Sequence, residues 1–383
     1  MSTIQQARRC FSCGTKLQSE DKSAPGYISP DVFSAHPGGS IFLCDACFRD
    51  SRYNIAPRTP DVSADWLEMI KDAKSSDALV IYVVDLFSFE SAFPPELVTL
   101  LEGMRLMVMA NKRDLIQKKV PDEEIKEYVA HRFRASKCSV TSDDVFLVSL
   151  RSTSDVRDIA EEMERRRGGH DVILVGSSMA GKSAFRDAYL RQYSNNSNKP
   201  VVTVEYGATK IPIMQIPLDE STYIYDAPGI PLSNDIRGIC PGIARKVIPS
   251  KALSARRFGI GKSGAISVEG LALITLTEGK KTNVSAYFKD ELHIHFHISR
   301  PVLKSFLRRI SEKKVKVIDP NFVDATDFDA FDIAVEEKGQ RDIGIEGLGW
   351  ISFQGNGQTF TVMVPKGVSV YTSRAKIKDK HAK

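Results

Sequence analysis

Apolar positions change their rhythm twice along the chain. Between residues 57 and 245, short continuous apolar runs at 78–84, 106–110, 145–148, 171–175 and 222–226 alternate with mixed polar segments. Runs of this length bounded by turn residues predict parallel strands buried on both faces. The segments 155–167 and 184–193 between them carry helical spacing. Beyond residue 250 the apolar positions alternate instead, which predicts strands at 265–277, 284–288, 292–298 and within 344–364. An amphipathic helix is predicted over 302–315, with Lys304, Arg308, Arg309, Lys313 and Lys314 on its polar side. Before residue 57 there is neither rhythm. Pro25 to Pro30 and Pro37 to Ser40 are rich in turn signals, and so few apolar residues could not build a core unaided. The predicted organisation is a small module over 1–56, an α/β domain over 57–245 and a β-rich domain over 246–383.

With 42% hydrophobic and 26% charged residues, a chain of 383 residues reads as an ordinary globular protein of two or three domains. Its strongest apolar run, 78–84, falls far short of the roughly 20 residues needed to span a bilayer. No apolar leader precedes Cys10, so the expectation is a cytoplasmic protein with no membrane partner. The net charge of +5 conceals a division: −2 over residues 1–250 and +7 over 251–383, with +9 concentrated in 251–316. Residues 317–365 carry −7 and 366–383 carry +5, the last forming a lysine-rich tail expected to be mobile from Arg374 onward. A basic block of this kind is the footprint of polyanion binding; a solvated surface is the plain alternative.

Four of the six cysteines form Cys10-x-x-Cys13 and Cys44-x-x-Cys47, 30 residues apart. Two such knuckles can close a tetrahedral thiolate sphere, which predicts a structural zinc with no open position. Cys138 and Cys240 stand alone and read as buried apolar residues. His293, His295 and His297 alternate along one predicted strand face. A single strand fans them too widely to chelate one ion, so they read as an exposed polar face able to meet RNA phosphate.

The run at 171–175 leads into Gly176, Ser177, Ser178, Met179, Ala180, Gly181, Lys182 and Ser183, and then a helix. Strand, G-x-x-x-x-G-K-S and helix together make a phosphate loop: backbone N–H groups curl round the β-phosphate, Lys182 offsets β/γ charge and Ser183 offers a hydroxyl to Mg²⁺. After 106–110 comes Asn111-Lys112-Arg113-Asp114. Here Asp114 would accept from the N1–H and 2-amino group of guanine, a donor pair adenine lacks. Asp226-Ala-Pro-Gly229 follows a third run, giving an indirect Mg²⁺ partner in Asp226 and a γ-phosphate-sensing N–H at Gly229. Ser149 and Leu150 form the short loop that backs the base. The expected cofactors are therefore GTP or GDP, Mg²⁺ and structural Zn²⁺. The order is unusual, because N-K-R-D precedes the phosphate loop; the same sheet can be assembled from a permuted chain when the old termini lie close together.

Two cysteine knuckles, then N-K-R-D, G-S-S-M-A-G-K-S and D-A-P-G, resemble the YqeH family of circularly permuted bacterial GTPases. Cys47 to Asn54, Val83 to Ser91, Gly347 to Ile351 and Pro365 to Val370 match further phrases of that family, so the resemblance covers essentially the whole chain. It implies a circularly permuted P-loop GTPase domain, a treble-clef-like zinc module, a C-terminal domain associated with RNA, and a role in assembling the small (30S) ribosomal subunit. It also implies Thr209 as a second Mg²⁺ ligand. Met179 stands where the family has an Asn that helps to hold potassium, and a thioether is no hard oxygen ligand, which speaks against potassium activation. The base-backing loop reads Ser149-Leu150-Arg151 rather than S-A-K.

Hydrolysis would rest on Lys182, Ser183, Thr209, Asp226 and Gly229. Ile230 follows Gly229 where Ras-like enzymes place a water-orienting Gln, so turnover is expected to be slow until a protein partner assists. The expected function is a slowly hydrolysing GTP switch coupling nucleotide state to rRNA and small-subunit binding. The alternative is an RNA-binding scaffold with a vestigial nucleotide site.

Overall fold

The computed structural model describes residues 17–31, 44–45, 63–90, 95–193, 200–206, 211–230, 234–297, 301–336 and 338–378. The zinc candidates Cys10, Cys13 and Cys47 and the candidate Mg²⁺ ligand Thr209 lie outside them. Up to residue 230 the elements run α1 (Ser63–Ser75), β1 (Leu79–Asp85), α2 (Pro95–Leu100), β2 (Leu106–Asn111), α3 (Asp122–Ala135), β3 (Val145–Val148), α4 (Thr153–Arg167), β4 (Val172–Gly176), α5 (Lys182–Tyr193), β5 (Val202–Tyr206), β6 (Ile211–Pro217) and β7 (Tyr223–Asp226). Then follow α6 (Ile236–Ile239), α7 (Ala244–Val247), β8 (Arg256–Ile260), β9 (Ala265–Val268), β10 (Ala272–Glu278), β11 (Thr282–Phe288), β12 (Ile294–His297), α8 (Val302–Ser311), β13 (Phe328–Val335), β14 (Gly339–Ile345), β15 (Gly349–Gly355), β16 (Gln358–Pro365) and β17 (Val370–Arg374). They divide into two compact units: residues 1–85, 92–111 and 129–231 in one, and 86–91, 112–128 and 232–383 in the other.

The first unit is built on a seven-stranded sheet of order β3-β2-β1-β4-β7-β6-β5. Pairs among β3, β2, β1, β4 and β7 are parallel, while β6 and β5 close the far edge antiparallel. All seven residues of β1 and all five of β4 are buried, as continuous Val, Ile and Leu runs require when both faces are covered. Leu79, Ile81, Met107, Leu174, Phe185 and Ile224 share one core cluster. From β1 the chain steps outward to β2 and β3, returns to β4 on the other side of β1, and continues to β7. Strand order therefore reverses between β1 and β4. The crevice beyond the carboxyl ends of strands at such a reversal is where open α/β sheets bind ligands.

The second unit holds two antiparallel five-stranded sheets, β12-β9-β10-β16-β13 and β17-β14-β15-β11-β8. Ile274, Leu276 and Phe360 from one and Phe288, Ile351 and Phe353 from the other meet in one buried cluster, which makes this a β-sandwich. Helix α8 covers the outer face of the first sheet, with Phe306 and Ile310 packed against Ala265, Leu273 and Phe328. The α/β class and the β-rich C-terminal part thus agree with expectation.

Several local expectations need correction. The run at 265–277 is two strands, β9 and β10, turned back on each other through Glu269 (φ 48); apolar residues continue across the turn and hide it. Helix α8 stops at Ser311, not near 315. Lys313 adopts φ 54, and the N–H groups of Lys313 and Lys314 return to the carbonyls of Ile310 and Arg309, a left-handed stop made without glycine. The histidines do not share an exposed face. His293 is exposed, but His297 is buried, bonded to the hydroxyls of Ser267 (2.9 Å) and Ser305 (3.3 Å). Arg256 is tied to the carbonyls of Leu292 (2.5 Å), Phe288 and Lys289, so it braces the sandwich. The tail beyond Arg374 is docked as far as Ile377: Lys376 is buried, its N–H meets Asp342 at 2.8 Å, its ammonium meets the Tyr371 hydroxyl at 2.7 Å, and it lies 4.7 Å over the Trp350 ring. Cys138 and Cys240 are buried as expected, which pushes both thiols up to about 12.

Candidate nucleotide site

At the strand-order reversal, the loop from Gly176 to Ser183 joins β4 to α5, and its glycines are explained by what they touch. A Cβ on Gly176 would stand 2.4 Å from the Val83 carbonyl oxygen, the close approach of β4 to β1. One on Gly181 (φ 116) would stand 2.1 Å from Asn111 Nδ2. That space lets Asn111, the last residue of β2, donate to the Ala180 carbonyl at 2.8 Å, while its Oδ1 accepts from the Leu150 N–H at 3.4 Å. Asn111 is thus a buried cross-brace. One side chain ties together the end of β2, the phosphate-type loop and the loop after β3, three segments the sequence singled out separately. Ser149 in that last loop is held through its N–H by Asp155, which Ser152 in turn caps at the start of α4.

Lys182 is buried and donates to the carbonyls of Gly176 (2.9 Å) and Ser177 (3.4 Å). Burial lowers its ammonium to about 8, with Asp226 opposing the shift and Arg186 adding to it. Ser183 is exposed in the first turn of α5. Met179 sits at φ 64, a left-handed conformation that costs a residue of this type about 1–2 kcal/mol and suits Asn far better. Ser178 buries its hydroxyl with no hydrogen-bond partner. An orphaned donor and a strained residue side by side in one loop mark a functional segment.

The segment after β7 fastens onto this loop. The Ile230 N–H donates to the Gly176 carbonyl (3.1 Å) and the Ser178 N–H to the Ile230 carbonyl (2.9 Å), extending the β4–β7 pairing past the strand ends. Gly229 is needed for the fit, since a Cβ there would lie 2.7 Å from Ser178. Asp226, at the end of β7, is buried and paired with Arg186 of α5 at 2.8 Å. Sequence reasoning missed Arg186. Its spacing of four from Lys182, on the same helix face, was the available signal.

Of the expected residues, the fold brings Asn111, Ser149, Leu150, the loop 176–183, Asp226 and Gly229 to this end of the sheet. Lys112 adopts φ 68 and leads into the 3₁₀ turn Arg113–Leu115, in which Asp114 is half-buried. For Mg²⁺, Ser183 offers an accessible hydroxyl, while Oδ2 of the Asp226 carboxylate, expected to act on the metal indirectly, is engaged by the Arg186 guanidinium. Among the described residues no group of three His, Cys, Asp or Glu could hold a metal ion, and no helix is long and apolar enough to cross a membrane.

No family model matches the chain. Individual proteins do. It is 27% identical to the "Uncharacterized protein YqeH" of Bacillus subtilis over 96% of this chain and 99% of that one. It is 26% identical to the "NO-associated protein 1, chloroplastic/mitochondrial" of Arabidopsis thaliana over 58% of this chain and 43% of the plant protein. The human "Nitric oxide-associated protein 1" is likewise 26% identical, over 47% of this chain and 31% of its own length. The match to the bacterial protein runs end to end, so the chain is similar to YqeH over essentially its whole length.

Proposed function

We propose that this protein binds and slowly hydrolyses GTP and acts in small ribosomal subunit assembly, its nucleotide state setting its affinity for rRNA. The observation that carries the nucleotide reading is the Asn111 cross-brace, because it joins three GTPase-type segments at the strand-order reversal of a parallel sheet. In this reading Lys182 and the loop N–H groups hold the phosphates, Ser178 finds a partner in a phosphate oxygen, and Asp114 selects guanine. Mg²⁺ is implied by the family and would supply charge neutralisation at the phosphates, with Ser183 as the residue able to offer it an oxygen. Ile230 contributes only backbone bonds to the loop and has no polar side-chain atom to orient water, which supports slow unassisted turnover and a stimulating partner.

Residues 1–56 are read as a structural zinc module on Cys10, Cys13, Cys44 and Cys47, with 57–245 the GTPase domain and 246–383 the RNA-facing domain of a cytoplasmic protein. The exposed side chains of Lys304, Arg308, Lys313 and Lys314 supply the basic surface, while Arg256 is removed from it by its structural bonds. The test is sedimentation of the full chain with small subunits in a GTP analogue, in GDP and without nucleotide. A nucleotide-dependent, strongly salt-dependent association is expected. Equal association in all three states, with no guanine-nucleotide binding, would leave an RNA-binding scaffold.

A further inference from the structure

Asp226 ends the strand β7 at the nucleotide site and would ordinarily be available to the hydration shell of a divalent ion. Here its Oδ2 receives Arg186 Nη1 at 2.8 Å, and both side chains are at least nine-tenths buried, at 5% and 6% exposure. Arg186 also reaches Asp187, with Nε at 3.0 Å and Nη2 at 2.9 Å from its Oδ1. A guanidinium stays protonated under all ordinary conditions and is weakly hydrated, so its burial beside a carboxylate is tolerated where an ammonium's would be costly. Lys182 and Arg186 stand one turn apart on α5, Lys182 bonded to the loop carbonyls of Gly176 and Ser177 and Arg186 to Asp226. A divalent ion that took Asp226 Oδ2 would have to displace a buried, hydrogen-bonded guanidinium.

We infer that Arg186 is the resident cation of Asp226, and that this site therefore retains guanosine diphosphate with little dependence on a divalent metal. The inference rests on the guanine-nucleotide reading and deepens it. The charge that a metal brings to the D-x-x-G carboxylate is already supplied by the chain, so metal binding should add contacts only through Ser183 and the nucleotide itself.

The test is the affinity of the full chain for a fluorescent GDP, measured in millimolar Mg²⁺ and in excess EDTA. Chelation should weaken binding by the parent chain less than about 3-fold, whereas Arg186→Met, similar in length but uncharged, should lose at least about 10-fold on chelation because Asp226 then needs an external cation. Arg186→Lys, which keeps the charge though at a cost in stability, should match the parent in its fold-change on chelation. Thermal unfolding without nucleotide checks that each variant folds, and the parent measurement decides even if Arg186→Met does not. A loss of about 100-fold or more for the parent in EDTA would overturn the inference while leaving the guanine-nucleotide reading intact. No GDP binding in either condition would overturn both.

Discussion

Among the described residues, each unit holds a buried arginine–aspartate pair, and the two are built differently. Asp235, fully buried in the second unit, accepts from the Arg237 N–H (2.8 Å), Nε (2.8 Å) and Nη2 (2.7 Å) and from the Ser88 hydroxyl (3.0 Å), which in turn accepts from the Gly347 N–H. Gly347 (φ 78) is glycine because a Cβ would stand 1.9 Å from Asp235. Four donors converge on that carboxylate, as a frame element requires. Arg186, by contrast, divides itself between Asp226 and Asp187, beside a loop holding a methionine in a left-handed conformation and a serine hydroxyl with no partner. Satisfied groups mark where the chain is fastened; strained and unsatisfied ones mark where it is kept ready for a ligand.

The largest expected effect comes from breaking the fastened pair. Asp235→Asn removes the carboxylate charge that the buried Arg237 meets through its N–H, Nε and Nη2, and should cost about 3–5 kcal/mol in urea unfolding. Asp226→Asn should cost about 1–2 kcal/mol, because Arg186 keeps Asp187. Equal losses would erase the distinction between frame and site.

On the proposed guanine-nucleotide reading, Asp114→Asn should weaken GTP binding by about 2–3 kcal/mol, measured by titration, and shift preference toward a xanthine nucleotide. Unchanged GTP affinity would remove Asp114 from the guanine site.

A smaller effect should follow pH at the buried histidine. Burial, then His295 and Arg309, lowers His297 from 6.5 to about 4. Because the folded value lies below the unfolded one, the unfolded chain binds the proton more tightly, and stability is lost as pH falls from 6.5 toward 4. The slope from this residue is at most about 1.4 kcal/mol per pH unit. His297→Gln should flatten stability across that window by this contribution, read from urea unfolding at a series of pH values.

The smallest change sharpens the picture of a strained loop. Met179→Asn, better suited to φ 64, should raise stability without nucleotide by about 0.5–1 kcal/mol in thermal unfolding. A destabilised variant would mean that the methionine side chain contributes packing which outweighs its backbone cost.

Much of this molecule is legible in its sequence. Buried parallel strands are continuous apolar runs, so β1, β2, β4 and β7 fall within a residue or two of where hydrophobicity alone puts them. The loop 176–183 was equally visible, because its glycines answer to local backbone geometry. Strands whose outward residues are charged were harder to see: β13, Phe328-Asp-Ala-Phe-Asp-Ile-Ala-Val335, lies in the acidic stretch and was missed.

Sequence alone therefore determined the strand runs, the motif order and the chemistry on offer, since these depend on residues near one another in the chain. Tertiary structure decided which partner each polar group took. It placed Arg186 on Asp226, closed Asn111 onto Ala180 and Leu150, turned His297 inward to Ser267 and Ser305, and docked Lys376 on Asp342 and Trp350. The physical reason is that burial and hydrogen bonding are settled by neighbours far away in sequence: Asn111 lies 69 residues from Ala180, and Arg186 lies 40 from Asp226. No local pattern encodes those distances.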